Sequence, residues 1–211
     1  NAGPSYAPPA LAESTYFKRV VTSGACQQSE SNAVLITANP SLANNIIGQE
    51  QEICYGSIPA ALAGSTPTGG DGDYRYTWQM STTSASAGFV NAPGANDGKD
   101  YAAGALTATT WYRRIVKSGG CEVVSPAIKV TVNPLPSAPT AAGQEICKGD
   151  MATLTVTDNG GIYTWYEEAT SENALHTGTS FKTPALHSTT TYYVQVTDAK
   201  GCASPRTPVT V

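Results

Sequence analysis

The chain has 211 residues, a formal net charge of −4 and a sequence pI near 5.1. This acidic balance argues against nucleic-acid binding, whose footprint is normally basic, and no apolar run reaches the roughly 20 residues that span a bilayer. Only 13% of the residues are charged, and Thr, Ser, Ala, Gly and Pro dominate. Such a composition suits short strands and many turns, and it is poor in helix formers.

The same sequence pattern occurs three times along the chain. It begins at Leu11, Leu106 and Leu186, and each copy runs through a Thr/Ser pair and adjacent aromatic residues to a Gly-containing turn and a cysteine. The copies start about 80 to 95 residues apart, close to the size of one β-sandwich module, so we predict a tandem array. Its parts are residues 1–40, the C-terminal half of a truncated repeat; 41–134, a complete repeat with enlarged loops; and 135–211, a complete compact repeat.

Short β-type runs alternate with turn sequences in both complete repeats, and no segment keeps a 3.6-residue apolar period. We therefore predict strands and essentially no helix. The expected strands cover residues 74–79, 110–116, 127–132, 152–157, 162–166, 191–197 and 207–211. Trp78 and Trp165 occupy matching places in the first long strand of each repeat, which resembles the core tryptophan of immunoglobulin-like sandwiches. The predicted fold class is all-β, with tandem immunoglobulin-like β-sandwich modules in an elongated array.

The five cysteines fall at two places in the repeat. The head cysteines, Cys54 and Cys147, follow the matching sequences GQEQEI and GQEI, and the tail cysteines, Cys26, Cys121 and Cys202, follow the Gly-containing turn. This pattern favours disulfides and an oxidising, extracytoplasmic environment. Because the first repeat lacks its head, we expect the partner of Cys26 to lie outside the sequence.

The repeat allows two disulfide connectivities. Pairing within a module joins Cys54 to Cys121 and Cys147 to Cys202, and it is the pairing that we expect, because both cysteines occur in every complete module. The alternative joins the head of one module to the tail of the next, as Cys54 to Cys202. Sandwich geometry favours this alternative, because the two turns lie at opposite ends of a module and bonded cysteines need Cα atoms within roughly 7 Å.

No catalytic constellation emerges, and we expect neither an enzyme nor a cofactor. His176 and His187 have no cysteine or carboxylate at metal-ligand spacing, and neither a nucleophile elbow nor a phosphate-binding loop is present. A weak structural calcium site in acidic turns is the one metal alternative, although these turns lack the alternating ligands of a known calcium loop. The charged residues of these turns are Asp71, Asp73, Asp97, Lys99 and Asp100.

The middle repeat departs from the last repeat in loop length and in charge. Its long loops, residues 64–73 and 80–100, contain the charged residues just named. Loops on a rigid sandwich often carry recognition, so these are candidate ligand loops, with tolerated drift in exposed loops as the alternative. The basic pairs that follow the paired aromatics form either a small patch for acidic glycans or, as is more usual, a solvated sheet face. The residues at this place in the three copies are Lys18-Arg19, Arg113-Arg114 and Val194-Gln195.

Motifs at three places in the last repeat carry a family resemblance. They are Ile146-Cys147 with Gly149, Tyr163-Thr164-Trp165, and the tail TTYYVQVTDAKGC at residues 190–202; the middle repeat matches with Ile53-Cys54, Tyr76-Thr77-Trp78 and Gly120-Cys121, but has Arg113 where a valine is expected. The chain resembles the immunoglobulin-like repeats of very large secreted surface proteins of Bacteroidetes, including gliding-motility adhesins. The resemblance implies export to the cell surface through the type IX secretion route and a role as an adhesin stalk or filament. It supplies no catalytic residues.

The sequence therefore predicts a structural or adhesive segment of a large, extracellular, multi-repeat protein at the cell surface. Its expected partners are neighbouring repeats of the same chain and surface glycans or other cell-surface proteins, with no nucleic acid. One alternative is a carbohydrate- or protein-binding module that uses the loops of the middle repeat. A second alternative is a set of accessory domains of a secreted enzyme.

Overall fold

The computed structural model describes residues 3–211, which form sixteen strands. Within this range there is no helix, and hence none long and apolar enough to cross a membrane. The all-β prediction is confirmed. The described residues divide into two compact units: unit 1 comprises residues 3–49, Ala60–Ala103 and Trp111–Lys129, and unit 2 comprises Glu50–Pro59, Gly104–Thr110 and Val130–Val211.

The N-terminal part of unit 1 contains two short ladders of exposed or partly exposed strands. β1 (Thr15–Phe17) pairs antiparallel with β4 (Val34–Ile36), and β2 (Val20–Val21) pairs antiparallel with β3 (Ser29–Glu30). All three residues of β4 are apolar and exposed. From residue 3 to residue 44 no side chain is buried, so strand pairing rather than core packing organises this segment.

The remainder of unit 1 is organised around one long strand pair. β6 (Arg75–Ser81) pairs antiparallel with β7 (Val90–Asn91) and with β8 (Thr110–Ser118), and β8 also pairs with β9 (Cys121–Val124). The rings of Trp78 and Tyr112 each lie beside Tyr101, with ring centres 5.7 Å apart in both pairs. All three side chains are at most 2% exposed, so they form the centre of this core.

Unit 2 contains a parallel pair and a two-layer sandwich. The parallel pair is β5 (Gln51–Cys54) with β10 (Ile128–Asn133). One layer of the sandwich pairs β11 with β14, and the other has the order β13-β12-β15-β16, with all pairs antiparallel. These strands are β11 (Thr153–Thr155), β12 (Ile162–Tyr166), β13 (His176–Thr177), β14 (Ser180–Lys182), β15 (Thr191–Thr197) and β16 (Thr207–Thr210).

The core of this sandwich follows from alternation along the strands. Tyr192, Val194 and Val196 of β15 point inward, as their period-2 spacing predicts, and they pack with Trp165. Phe181 of the opposite layer lies 5.6 Å from Trp165 between ring centres. The two layers thus enclose one apolar core. Its other members are Ala152, Leu154, Val156, Tyr163, Leu186 and Val209.

Candidate functional site

A disulfide between Cys54 and Cys202 is the main chemical feature of unit 2. Their Cα atoms lie 5.5 Å apart, although 148 residues separate them in the sequence. Cys54 ends β5, whereas Cys202 follows β15 and is fully buried. The bond therefore joins the head of the middle repeat to the tail of the last repeat.

A small polar cluster accompanies the disulfide. Lys200 Nζ donates a hydrogen bond to Asn133 Oδ1 at 2.7 Å and lies 3.6 Å from Glu52 Oε2. Asn133 Nδ2 donates to the same Glu52 oxygen at 3.4 Å. The side chains of Lys200 and Glu52 are 55% and 65% exposed, so solvent screens their attraction and the pair contributes about 1 kcal/mol or less. The cluster therefore orients the two turns more than it stabilises them.

Two local structures position the bonded cysteines. On the head side, the parallel register of β5 and β10 places Asn133 opposite Cys54. On the tail side, Asp198 Oδ1 accepts hydrogen bonds from the backbone N–H groups of Lys200, at 2.9 Å, and Cys202, at 2.8 Å. An aspartate that bonds the backbone two residues further on closes a tight turn. This turn brings Lys200 and Cys202 to the head of the preceding repeat.

The pairing within modules that we expected from the sequence is wrong, and the alternative connectivity is the observed one. Cys54 is bonded to Cys202, so neither Cys54–Cys121 nor Cys147–Cys202 forms. Cys121 is a partly exposed free thiol, and Cys26 and Cys147 are exposed free thiols.

The length of β15 explains why the last repeat does not pair its own cysteines. The head turn after Cys147 bonds to Leu186, before β15 begins, through the Gly149 N–H at 2.7 Å. Cys202 follows the other end of β15. A seven-residue strand is about 20 Å long, which far exceeds the Cα separation that a disulfide tolerates.

Unit 1 contains a fully buried arginine, Arg114. Its Nε donates to Asn45 Oδ1 at 2.9 Å, its Nη1 to the Lys99 carbonyl at 2.7 Å and its Nη2 to the Ser65 carbonyl at 2.9 Å. Asn45 Nδ2 returns a hydrogen bond to the Arg114 carbonyl at 2.9 Å. Three separate segments of unit 1 are therefore joined through one side chain.

The environment of Arg114 is polar on one side and aromatic on the other. The guanidinium carbon lies 5.0 Å from the ring centre of Tyr76 and 5.8 Å from that of Trp78, and aromatic faces attract cations. Burial lowers the pKa of the Arg114 guanidinium, while the nearby Tyr76 and Asp100 act in the opposite direction. The three oxygen acceptors replace the water that the charged group loses on burial.

The interpretation of the basic pairs as a surface feature is wrong for Arg114. This residue lies opposite Trp78 in the β6–β8 register, and Val194 lies opposite Trp165 in the β12–β15 register. The residue that replaces the expected core valine is thus Arg114 and not Arg113. Alternation in β8 places Arg114 on the same face as Tyr112 and Val116 and was the available signal, but an arginine in a strand is normally read as exposed.

The other basic residues remain near the surface. Arg113 donates from Nε to Gln79 Oε1 at 2.9 Å, and its guanidinium carbon lies 4.0 Å from the ring centre of Phe89. Lys18 forms an ion pair with Glu30 at 2.6 Å, and about half of each side chain is exposed. The charged groups of Arg113 and Lys18 are thus engaged by neighbouring side chains of unit 1.

The first acidic turn is held by internal hydrogen bonds. Asp71 Oδ1 accepts from Ser118 Oγ at 2.6 Å and from the Asp73 backbone N–H at 3.0 Å. The Ser118 bond, followed by the Asp73 bond, lowers the pKa of Asp71 below its usual value of 3.8. Asp71 therefore stays ionised while it fastens the 64–73 loop to the end of β8.

The second acidic turn also makes contacts within unit 1. Asp100 Oδ1 accepts from the Gly64 N–H at 2.7 Å, and the Lys99 carbonyl accepts from Arg114. The side chains of Asp97 and Lys99 are exposed. In residues 3–211, no three His, Cys, Asp or Glu side chains are grouped so that they could hold a metal ion. The observed contacts thus favour a structural role for these loops.

The chain is similar to several solved structures at low sequence identity. Fibronectin domains 1–3 of chicken CNTN1 match with 11% identity and a TM-score of 0.39, covering 94% of this chain and 76% of that one. The fibronectin(III)-like modules of Clostridium thermocellum CbhA match with 12% identity and a TM-score of 0.36, covering 81% and 91%. A titin fragment matches with 13% identity and a TM-score of 0.42, covering 87% and 70%. No curated protein sequence matches the chain.

Sequence families account for almost the whole chain. Residues 136–211 match the family described as Ig-like domain CHU_C associated, which together with the disulfide indicates an extracellular protein with a structural or adhesive module. Residues 1–40 and 43–134 match the family described as Domain of unknown function (DUF8696). Because that match extends over more than half of the sequence, the chain belongs to the DUF8696 family, and its residues 136–211 are similar to the CHU_C-associated Ig-like domain.

Proposed function

We propose that the chain is a spacer segment of an extracellular adhesive protein, in which a disulfide that joins consecutive immunoglobulin-like repeats carries the tension. The observation that supports this proposal most strongly is the Cys54–Cys202 disulfide, which joins the head of one repeat to the tail of the next. A bond inside a single module would stabilise that module alone. A bond across successive repeats also limits how far a pulled chain can extend.

The mechanical effect of the bond follows from its position. Under a pull on the two chain ends, the disulfide carries the force past residues 55–201, which lie between the cysteines. That segment, fully extended at about 3.5 Å per residue, would add roughly 500 Å to the length of the chain. The bond therefore keeps most of the protein out of the force path, even when the modules unfold.

The family resemblance extends the proposal to a cellular setting. A segment of this kind would be exported through the type IX secretion route of a Bacteroidetes cell and anchored at its surface. There it would act as the stalk or filament of an adhesin, including one used in gliding. Its partners would be the neighbouring repeats and, at the end of the array, surface glycans or proteins.

The contacts of the middle loops weigh against the binding-module alternative. Asp71 and Asp100 each use a carboxylate oxygen to bind the protein itself, and Lys99 contributes its carbonyl to the Arg114 cluster. These residues are exposed, but one carboxylate oxygen each of Asp71 and Asp100 fastens a loop to the fold, which supports a rigid spacer.

Single-molecule force spectroscopy tests the proposal. The full chain is held by handles at its two ends and is stretched once in oxidising buffer and once in reducing buffer. We expect the oxidised chain to extend only through the residues outside the Cys54–Cys202 loop, and the reduced chain to gain about 500 Å of additional length. The Cys54→Ser/Cys202→Ser variant should behave like the reduced chain in both buffers.

Two results would contradict the spacer role. One is an oxidised chain that extends as far as the reduced chain, because the disulfide would then not limit extension. The other is a glycan-array signal of the full chain that disappears when loop 80–100 is shortened, because this would establish recognition by the middle repeat. A Cys147→Ser chain serves as the matched control, since its Cys54–Cys202 bond is intact.

A further inference from the structure

The free cysteines follow the same head-to-tail rule as the bonded pair. Cys54 is a head cysteine and Cys202 is the tail cysteine of the following repeat. Cys26 and Cys121 are tail cysteines for which this sequence contains no head cysteine one repeat earlier. Cys147 is a head cysteine for which it contains no tail cysteine one repeat later. Cys54 and Cys202 are the only head and tail cysteines of successive repeats that the sequence contains together, and they are the bonded pair.

The head of the last repeat reproduces the head of the middle repeat in its hydrogen bonds. After Cys54, the Gly56 N–H donates to the Leu106 carbonyl at 2.8 Å and the Ser57 N–H donates to the Cys54 carbonyl at 3.0 Å. The same two bonds recur after Cys147 in the last repeat, at 2.7 Å and 3.0 Å; they run from Gly149 to Leu186 and from Asp150 to Cys147. The two head turns therefore have the same local structure.

The last repeat differs from the middle repeat in what lies against its head. The Lys200 and Cys202 side chains contact the head of the middle repeat. At the corresponding place of the last repeat, Cys147 lines an open cavity of about 390 Å³. The cavity wall includes Glu145, Ile146, His187, Thr189 and Val211.

We propose that this cavity beside Cys147 is the docking site for the tail turn of another repeat of the same kind, closed by a disulfide to Cys147. We infer this partner from the Cys54 site, where the buried tail cysteine Cys202 forms the disulfide and Lys200, two residues earlier, lies beside Glu52. Glu145 is the counterpart of Glu52 in the matching sequences GQEI and GQEQEI. It would receive the lysine of the incoming turn as Glu52 receives Lys200.

Closing the bond is a two-electron oxidation. The thiols of Cys147 and of the incoming cysteine lose two protons and two electrons as the S–S bond forms. A small-molecule disulfide such as oxidised glutathione takes up both and leaves as two thiols. The inference deepens the proposed function, because it names the partner of one end of the segment. Its test maps a disulfide and not a mechanical response. A missing Cys147 disulfide would therefore overturn this inference without deciding the spacer function.

The test uses the full chain extended by a second copy of residues 133–211 after Val211, in which Pro205→Ala gives the appended Cys202 peptide a mass different from that of the original one. This extension reproduces the connection that links the middle and last repeats. The protein is oxidised with a glutathione buffer, alkylated, digested without reduction and analysed by mass spectrometry. We expect a peptide that links Cys147 to the appended copy of Cys202, and the loss of alkylation at Cys147. The peptide linking Cys54 to the original Cys202 should be present throughout and reports that the parent part is folded.

Two matched variants make the test sharp. With the appended Cys202 changed to serine, Cys147 should return to full alkylation while the original bond stays. In the Glu145→Lys variant, the new bond should form more slowly than in the unsubstituted extended chain. The inference is overturned if Cys147 remains alkylated in the extended chain, or if it links to Cys121 or to a second molecule, while the Cys54–Cys202 peptide shows an intact fold.

Discussion

Arg114 lies directly opposite Trp78 across the β6–β8 pair, with its guanidinium carbon 5.8 Å from the indole ring centre. In the last repeat, Val194 occupies the same position opposite Trp165. One repeat thus has an aliphatic side chain at the centre of the strand, and the other has a buried cation with three oxygen acceptors. The difference ties the long loops of the middle repeat to its core.

Removing the guanidinium should destabilise unit 1. In the Arg114→Leu variant the oxygens of Asn45, Ser65 and Lys99 lose their buried donor, and a loss of about 3 kcal/mol or more is expected. Urea unfolding followed by tryptophan fluorescence measures this loss. The Arg113→Leu control removes a more exposed cation and should cost less than about 1 kcal/mol. An Arg114→Leu variant as stable as the parent would contradict this prediction. It would show that the hydrogen bonds of Arg114 only compensate for the cost of burying its charge.

A methyl group at Gly64 should displace the same cluster. A Cβ at this position would lie 1.8 Å from Arg114 Nη1 and 2.2 Å from the Lys99 carbonyl oxygen. Because neither atom is free to move without breaking a hydrogen bond, we expect Gly64→Ala to cost about 2 kcal/mol or more. Gly104→Ala is the matched control, since a Cβ there meets nothing within 4 Å. Equal unfolding midpoints for the two variants would contradict the tight packing around Arg114.

The sequence predicts the strands well because their signals are local. Alternation in the two long strands of the last repeat gives their observed bounds, and it also predicts that Tyr192, Val194 and Val196 face inward. Two-residue strands such as β7 and β13 are too short to show alternation. Alternation gives the inward face of Arg114, but its acceptors come from distant loops, so no local pattern shows how its charge is satisfied.

Local sequence patterns cannot give the disulfide connectivity either. Head and tail cysteines are recognisable from the repeat, but their pairing depends on which turns meet in three dimensions. Asn133 was likewise missed, because its role arises only when β5 and β10 pair in parallel. The sequence signal that was available is the turn DAKGC, whose aspartate and lysine both contribute to the observed joint.

Removing the disulfide should lower the stability of unit 2 substantially. Closing a loop of 148 residues stabilises the folded chain by up to about 5 kcal/mol in the chain-entropy model. The Cys54→Ser/Cys202→Ser variant should therefore unfold at a clearly lower urea concentration than the oxidised parent. Reduction of the parent should give the same shift, whereas Cys147→Ser should give none. An unchanged midpoint after reduction would mean that the modules hold together without the bond.

Alkaline pH should weaken unit 1 through Tyr112. Burial, with a smaller contribution from Tyr101, raises the pKa of Tyr112 from 10.0 to about 12. Between these values the folded protein keeps the phenol proton and the unfolded chain has lost it, so raising the pH favours unfolding. The stability from Tyr112 is complete below pH 10 and falls above it, by up to ~1.4 kcal/mol per pH unit.

Urea unfolding between pH 8 and pH 11, with the free thiols alkylated beforehand, measures this dependence. The Tyr112→Phe variant should lose less stability than the parent over the same interval, because phenylalanine has no proton to release. A residual slope is expected, since burial also raises the pKa of Tyr101 and of Tyr192. Parallel curves for the parent and Tyr112→Phe would contradict the assignment, because Tyr112 would then ionise alike in the folded and unfolded chains.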